Sequence, residues 1–89
     1  MALHIKEYNN VIYIQGCLDT TNLTCLRSYL IPQLEAGKQL MVNVDGVSTI
    51  TNEMVKEMHA LKKIAQEVNG SISYYSNNHK DIYKYQTQN

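Results

Sequence analysis

The sequence predicts an α/β fold in which a mixed sheet of about four strands is packed by helices on one face. Short segments rich in β-branched and aromatic residues alternate along the chain with two long segments whose apolar residues recur at helical spacing. The resulting element order is β-β-α-β-α-β-α. Strand–helix–strand units favour parallel pairing, whereas the opening pair of strands favours a hairpin, so the sheet should be mixed.

The chain opens with the predicted hairpin. Residues 2–7 alternate weakly between apolar and polar types, and residues 11–15 form a β-branched and aromatic run. The Asn9-Asn10 pair between them favours a tight turn, because Asn tolerates a positive φ angle. Gly16 ends the second strand, and Asp19-Thr20-Thr21 offers caps for the helix that follows.

The first predicted helix carries four leucines at the spacing i, i+3, i+7 and i+11: Leu23, Leu26, Leu30 and Leu34. Pro32 lies inside this stripe. Because proline has no N–H and clashes with the preceding turn, we expect the helix to kink or restart near Ile31. Gly37 is typical of the C-terminal end of a helix.

Residues 40–44 form a nearly continuous apolar run, which is typical of a strand buried on both faces. A second helix begins near Thr51 or Asn52, either of which could cap it, and ends at Asn69-Gly70. Its apolar face consists of Met54, Val55, Met58, Leu61, Ala65 and Val68.

The C-terminal part predicts a last strand over Ser71–Tyr75 and a short helix over residues 80–85. Successive strand residues face opposite ways, so Tyr74 and Tyr75 should lie on opposite faces of the sheet, one covering the core and the other on an exposed face. We expect a single domain over residues 1–85, followed by a polar tail over residues 86–89.

Composition narrows the classes of function. Eight basic residues balance eight acidic ones, so no long-range field favours a nucleic-acid partner. No apolar run approaches the roughly 20 residues that span a bilayer, and we expect no direct membrane insertion. The first six residues lack the apolar core of a secretory signal, which favours a cytoplasmic protein. In that compartment Cys17 and Cys25 should be free thiols.

The sequence contains no recognisable catalytic pattern. It has no glycine-rich phosphate loop, no ordered nucleophile and base, and no metal-ligand spacing among its two cysteines and three histidines. We therefore expect no enzymatic activity, no catalytic residue, no cofactor and no metal. Asp19 follows a strand and a glycine and could be catalytic. The simpler interpretation is that it caps the first helix or contacts the second loop.

Two motifs resemble those of a known family. Gly16-Cys17-Leu18-Asp19 follows an apolar strand, and the strand and loop over residues 40–50 lead into a helix at Thr51-Asn52-Glu53-Met54. Together they resemble the STAS domain, the module of bacterial anti-sigma-factor antagonists and of the cytoplasmic tails of sulfate transporters. The resemblance covers about residues 8–83 and implies the α/β fold described above.

The second motif departs from the family at its phosphorylation switch. There the family usually has Asp-Ser-Ser/Ala/Thr-Gly, with the first Ser phosphorylated. In this chain Thr51 stands for the Asp, Asn52 for the Ser, Glu53 for the small residue and Met54 for the Gly. Asn52 has no hydroxyl to phosphorylate. The Glu53 carboxylate either complements the helix dipole or partly imitates the phosphorylated state. Phosphorylation of Thr49 or Thr51 instead remains open.

The resemblance implies a non-catalytic module that binds a protein partner, either a regulator of the anti-sigma type or a transporter subunit, and leaves a homodimer open. In the family the partner covers the switch loop. The corresponding residues here are Asp19, Ser48, Thr49, Thr51, Asn52, Glu53 and Met54. The alternative is a binder of a small anion or nucleotide-like molecule at loop 45–53, where polar groups cluster at a helix N-terminus. A pocket at this loop would favour that alternative.

Overall fold

The computed structural model describes residues 3–83 and has a layer of four strands and a layer of two helices. In chain order these are β1 (His4–Tyr8), β2 (Val11–Gly16), α1 (Thr20–Glu35), β3 (Gln39–Val47), α2 (Asn52–Glu67) and β4 (Ser71–Tyr75). The predicted α/β class with a mixed four-stranded sheet is confirmed.

The strands lie in the order β1-β2-β3-β4. β1 runs antiparallel to β2, and β2, β3 and β4 are parallel to one another. The hairpin turn has positive φ at both Asn9 (51°) and Asn10 (66°), as the sequence predicts. Both crossovers step in the same direction along the sheet. Since such crossovers are right-handed, α1 and α2 lie on the same face.

A β-bulge interrupts the pairing of β2 with β3. Tyr13 pairs with Asn43, but Gln15 pairs with Gly46, so β3 carries one extra residue in this stretch. A Cβ atom at Gly46 would lie 2.9 Å from the Gln15 Cγ, which explains why glycine suits this position. Beyond the bulge the alternation of side chains changes phase, and Val47 becomes the buried residue.

β3 is longer than the predicted residues 40–44, and it is not buried on both faces. Leu40, Val42 and Val44 are buried against the helices, whereas Met41, on the opposite face, is 43% exposed. The prediction of burial on both faces is wrong because both helices lie on one side of the sheet.

α1 runs without interruption from Thr20 to Glu35, so the restart expected near Ile31 is wrong. Pro32 lies in the last turn, where the missing N–H removes the helical bond to the carbonyl of Ser28. Leu34 beyond it is completely buried, and its packing holds the turn in place. Gly37 follows the helix with a φ angle of 81°, as expected for a helix end.

One hydrophobic core fills the space between the sheet and the helices. It contains the four leucines of α1 together with Met54, Met58, Leu61 and Ala65 of α2, while Val68 is partly buried against it. Tyr74 belongs to this core with 4% exposure, and Tyr75 is half-buried on the other face of the sheet. The prediction that Tyr74 and Tyr75 lie on opposite faces of the sheet is confirmed.

The C-terminal helix predicted over residues 80–85 is not established as a complete element. Within the described residues, Lys80 and Asp81 form a turn, and a helical turn begins at Ile82, whose N–H donates to the His79 carbonyl over 3.1 Å. Ile82 is completely buried in the core. Residues 1, 2 and 84–89, which include the predicted polar tail, lie outside the described residues.

Candidate functional site

The loops that follow β2, β3 and β4 gather at one edge of the sheet, because these three strands are parallel. We call this surface the polar edge: residues 17–19, 48–53 and 76–81. The backbone joins its first two loops, since the Ser48 N–H donates to the Gly16 carbonyl over 3.0 Å. The geometry thus brings the two sequence motifs side by side.

Asp19 caps α1. Its Oδ1 accepts a hydrogen bond from the Asn22 N–H over 2.8 Å. The Asn22 side chain in turn donates to the Cys17 carbonyl over 2.6 Å, which fixes the chain as it enters the helix. The predicted capping role is confirmed, and the Asp19 side chain remains at the surface.

Thr51 caps α2. The sequence leaves the cap position open between Thr51 and Asn52. Its Oγ1 accepts a hydrogen bond from the Met54 N–H over 3.1 Å, and its carbonyl accepts one from the Val55 N–H over 3.0 Å. Asn52 is therefore the first helical residue, and Glu53 lies in the first turn. A carboxylate there complements the positive end of the helix dipole.

Exposure divides the residues predicted for this site into two groups. Ser48, Thr49, Asn52 and Glu53 are exposed. Met54 is 2% exposed and points into the core, so it does not contribute to the surface. Met54, which the sequence analysis placed in the partner-binding loop, therefore packs inside the domain.

Asp45 accepts several hydrogen bonds near this edge. The sequence named it only as one of the polar groups of loop 45–53, without these contacts. Its Oδ1 accepts hydrogen bonds from the Ser76 hydroxyl (2.5 Å), the Asn77 N–H (2.7 Å) and the Asn78 N–H (3.1 Å). The Ser76 hydroxyl first, and then the Asn78 N–H, lower the pKa of Asp45 to about 2. The carboxylate therefore ties the loop after β4 to β3.

Further hydrogen bonds lock the same loop. The His79 Nε2 lies 2.7 Å from the Val47 carbonyl, so this nitrogen carries the proton. The Tyr83 hydroxyl accepts from the Ser76 N–H over 3.0 Å and donates to the Ser76 carbonyl over 3.1 Å. A Ser-Asn-Asn-His run after one parallel strand, opposite an Asp on the next, is the sequence signal that could have indicated this arrangement.

An open groove separates two of the loops. It has a volume of about 600 Å³ and is lined by Ser48, Thr49, Ile50 and residues 77–81. The structure thus has a concavity beside loop 45–53. A pocket at this loop is the feature expected of a site for a small ligand. The groove lies at the carboxyl ends of parallel strands, the usual position for ligands in α/β sheets.

An ion pair joins the two helices near this surface. Arg27 of α1 donates from Nη2 and Nε to the two carboxylate oxygens of Glu57 in α2, over 2.6 and 2.7 Å. Because the arginine side chain is 47% exposed, we expect the ion pair to add at most about 1 kcal/mol to the free energy of unfolding.

Within the described residues, 3–83, the histidine, cysteine and carboxylate groups do not gather into a metal site. In that range no three His, Cys, Asp or Glu side chains lie in a group that could hold a metal ion. Over the same residues, neither helix has the length and apolar character needed to cross a bilayer. Cys17 and Cys25 are free thiols, as predicted.

Comparison with known proteins supports the fold alone. No family model and no curated protein sequence matches this chain. A solved structure described as "Crystal Structure Analysis of Mglu" aligns with a TM-score of 0.66 over 86% of this chain, at 9% sequence identity. The alignment covers 20% of that protein's chain, so the two share an α/β architecture over a small part of the larger molecule.

Proposed function

We propose that this chain is a STAS-like, non-catalytic interaction module that binds a protein partner through the polar edge. The observation that carries the proposal is a set of exposed side chains in a loop whose two ends are fixed by hydrogen bonds. Thr51 and Asp45 tie down the two ends of loop 45–53. Ser48, Thr49 and Glu53 are presented to solvent between or beside these anchors. Under this proposal a third helix follows β4 and completes the element order β-β-α-β-α-β-α.

The chemistry of the loop suits a partner whose binding is not controlled by phosphorylation at position 52. Asn52 has no hydroxyl, and the Thr51 hydroxyl is engaged with the α2 backbone. Exposed polar groups at the rim, with Ile50 half-buried among them, suit a modest and reversible interface. A regulator of the anti-sigma type or a transporter subunit would fit this role. The two free thiols agree with a cytoplasmic setting.

The binding test begins with capture of the partner from the source cells, using the full chain as bait. Asn52→Arg and Glu53→Arg should each weaken binding several-fold, because they add bulk and reverse charge on the exposed start of α2. Tyr75→Ala, on the opposite face of the sheet, is the control and should leave the affinity unchanged. Loss of binding in Tyr75→Ala, with both loop variants intact, would place the interface elsewhere and refute the proposal.

The phosphorylation state is tested separately by intact mass measurement of the chain purified from its source cells. We expect no phosphate. A stoichiometric phosphate on Thr49 or Thr51 would mean that the switch has moved within the loop.

The groove at the polar edge supports a second candidate, a site for a small anion or a nucleotide-like molecule. The groove is lined by Lys80 and His79 and faces the loop that leads into α2, where helix-terminal N–H groups attract anions. Titration with inorganic phosphate or ATP, monitored by amide chemical shifts, distinguishes the small-anion site from the protein-binding module. Saturable shifts at residues 48–50 that Lys80→Gln abolishes and Lys63→Gln preserves would support this candidate.

A further inference from the structure

The face of the sheet opposite the helices carries a second, larger groove. Register places the side chains of this open face in rows. One row runs through Tyr8, Val11, Met41 and Ser73, and the next through Lys6, Tyr13, Asn43 and Tyr75. Because directly paired residues lie on the same side of a sheet, each row crosses all four strands.

Aromatic surface is concentrated on this open face. Tyr8 is 63% exposed, Met41 43% and Tyr13 37%. Tyr13 and Tyr75 flank Asn43, and a hydrogen bond between their hydroxyl groups raises the pKa of Tyr13. The two tyrosine side chains thus meet above Asn43, which is 7% exposed on the face opposite α1 and α2.

The groove lies between β1 and the bulge of β3 and has a volume of about 860 Å³. The residues that matter for recognition are His4, Lys6, Tyr8, Tyr13, Gln15 and Asn43. Small-molecule sites in proteins typically occupy about 300–1,000 Å³ and combine mostly apolar walls with a few polar groups. The groove has this size and this kind of lining.

The charge at the β1 side of the groove favours a negative group there. Among the described residues, neither Lys6 nor His4 forms an ion pair with a carboxylate. The carboxylate among the lining residues is that of Asp45, and its Oδ1 already accepts three hydrogen bonds from residues 76–78. Asp45 keeps its negative charge, but it lies on β3, two strands away from Lys6 on β1. An anionic group held at the β1 side of the groove therefore meets the positive charge of Lys6.

We propose that the open-face groove binds a planar aromatic anion, with its ring against Tyr8 and Tyr13 and its negative group at Lys6 and His4. Tyr8 and Tyr13 are diagonal neighbours on paired strands. Such positions have Cβ atoms about 7–8 Å apart, which leaves room for one flat ring beside or between the two tyrosine rings. Lys6 pairs directly with Tyr13, so the positive charge lies next to the stacking surface.

The ligand class is tested with four probes and amide chemical-shift titration of the full chain. AMP supplies an aromatic phosphate and indole-3-acetate an aromatic carboxylate, and saturable binding of either supports the proposal and identifies the preferred anionic group. Adenosine and inorganic phosphate supply the ring and the anion separately, and each should bind at least about ten-fold more weakly, since stacking and charge both contribute. The shifts should be centred on residues 4, 6, 8 and 13.

Variants assign the contacts. Tyr8→Leu should weaken binding about ten-fold and Tyr8→Phe should restore it, because a stacking ring is worth about 1–3 kcal/mol. Lys6→Gln should weaken binding and reduce its dependence on salt, whereas the matched Lys63→Gln on α2 should do neither. These positions are exposed, so the variants should retain the wild-type melting temperature.

Three outcomes would overturn the proposal. They are no saturable binding of AMP or indole-3-acetate, shifts centred on residues 48–53 and 77–81, and equal affinity of adenosine and AMP. Sedimentation of the free chain tests whether a second copy covers the open face. A dimer that Tyr8→Leu disrupts would show that it does and would also overturn the proposal. Failure here leaves the partner interface at the polar edge untouched, because the two surfaces share no exposed residue.

Discussion

At the scale of single residues, the decisive group is Asp45. A carboxylate at the end of a strand is usually free to face water, but this one accepts hydrogen bonds from Ser76 and from two backbone N–H groups of the neighbouring loop. Hydrogen bonds to the ionised form lower the pKa, here to about 2 from an ordinary 3.8. The negative charge is therefore part of the fold at neutral pH.

Asp45→Asn should lower the melting temperature by several degrees at pH 7, and this difference should depend on pH. A carboxylate with a lowered folded pKa stabilises the native state above its unfolded pKa, and the contribution disappears as pH falls from 3.8 through about 2. Thermal unfolding of both proteins between pH 7 and pH 2 measures this. The curves should converge at the acid end.

The control for this comparison is Asp19→Asn, which keeps a capping oxygen at the start of α1. It should change the melting temperature little at any pH. A difference between wild type and Asp45→Asn that stays constant down to pH 2 would contradict the assigned role of the Asp45 charge.

At the scale of elements, α2 is defined by its N-cap. The Thr51 hydroxyl accepts the Met54 N–H, and this places Asn52 and Glu53 in the first turn at the surface. The same bond turns Met54 into the core, where it is 2% exposed. The cap therefore places Asn52 and Glu53 at the surface and Met54 in the core.

Thr51→Ala should destabilise the domain by about 1 kcal/mol, because the cap hydrogen bond is lost. Thr51→Ser keeps the hydroxyl and should stay within about 0.5 kcal/mol of wild type. Urea denaturation at neutral pH measures both. If the alanine and serine variants unfold at the same urea concentration, the hydroxyl does not hold the helix start.

Leu26→Ala and Met58→Ala test the packing of the two helices on the sheet. Leu26 is 3% exposed and Met58 5%. Each truncation should cost about 2–5 kcal/mol in the free energy of unfolding, from lost burial and the cavity left behind. The exposed Lys63→Ala on α2 is the control. Losses below about 1 kcal/mol for both would show that the apolar stripes are misplaced.

The sequence predicted helices and strands well where a local pattern controls them. The leucine stripe of α1 and the Asn9-Asn10 turn appear as expected, because periodicity and a tolerance for positive φ act within a few residues. The bulge of β3 was missed, since it depends on pairing with β2. The uninterrupted α1 was also missed, because the buried Leu34 keeps the turn after Pro32 helical.

The candidate site shows the same division. Local signals predicted a cap at Asp19 and a second cap at either Thr51 or Asn52. The contact of Asp45 with Ser76 joins residues 31 positions apart and requires the parallel arrangement of β3 and β4. The groove of the open face likewise appears once β1 is paired with β2, because Tyr8 and Tyr13 become neighbours through that pairing. Such features follow from topology, which a linear pattern does not contain.

At the scale of the whole molecule, the segment after β4 closes the end of the core. Ile82 is completely buried, although it lies outside the two long helices and the four strands. Asp45, His79 and Tyr83 hold this segment against the ends of β3 and β4. The polar bonds at the edge and the apolar contact of Ile82 therefore stabilise the same unit.

Ile82→Ala should destabilise the domain by about 2–5 kcal/mol, as expected for a buried truncation. Lys80→Ala, on an exposed residue of the same turn, should change stability by less than about 0.5 kcal/mol. Since Asp45 and Ile82 anchor one segment, the double variant with Asp45→Asn should lose less stability than the sum of the single losses. Urea denaturation of the four proteins in this cycle measures the coupling. Strict additivity would mean that the two anchors act independently, and that the C-terminal turn packs on the core without help from the Asp45 carboxylate.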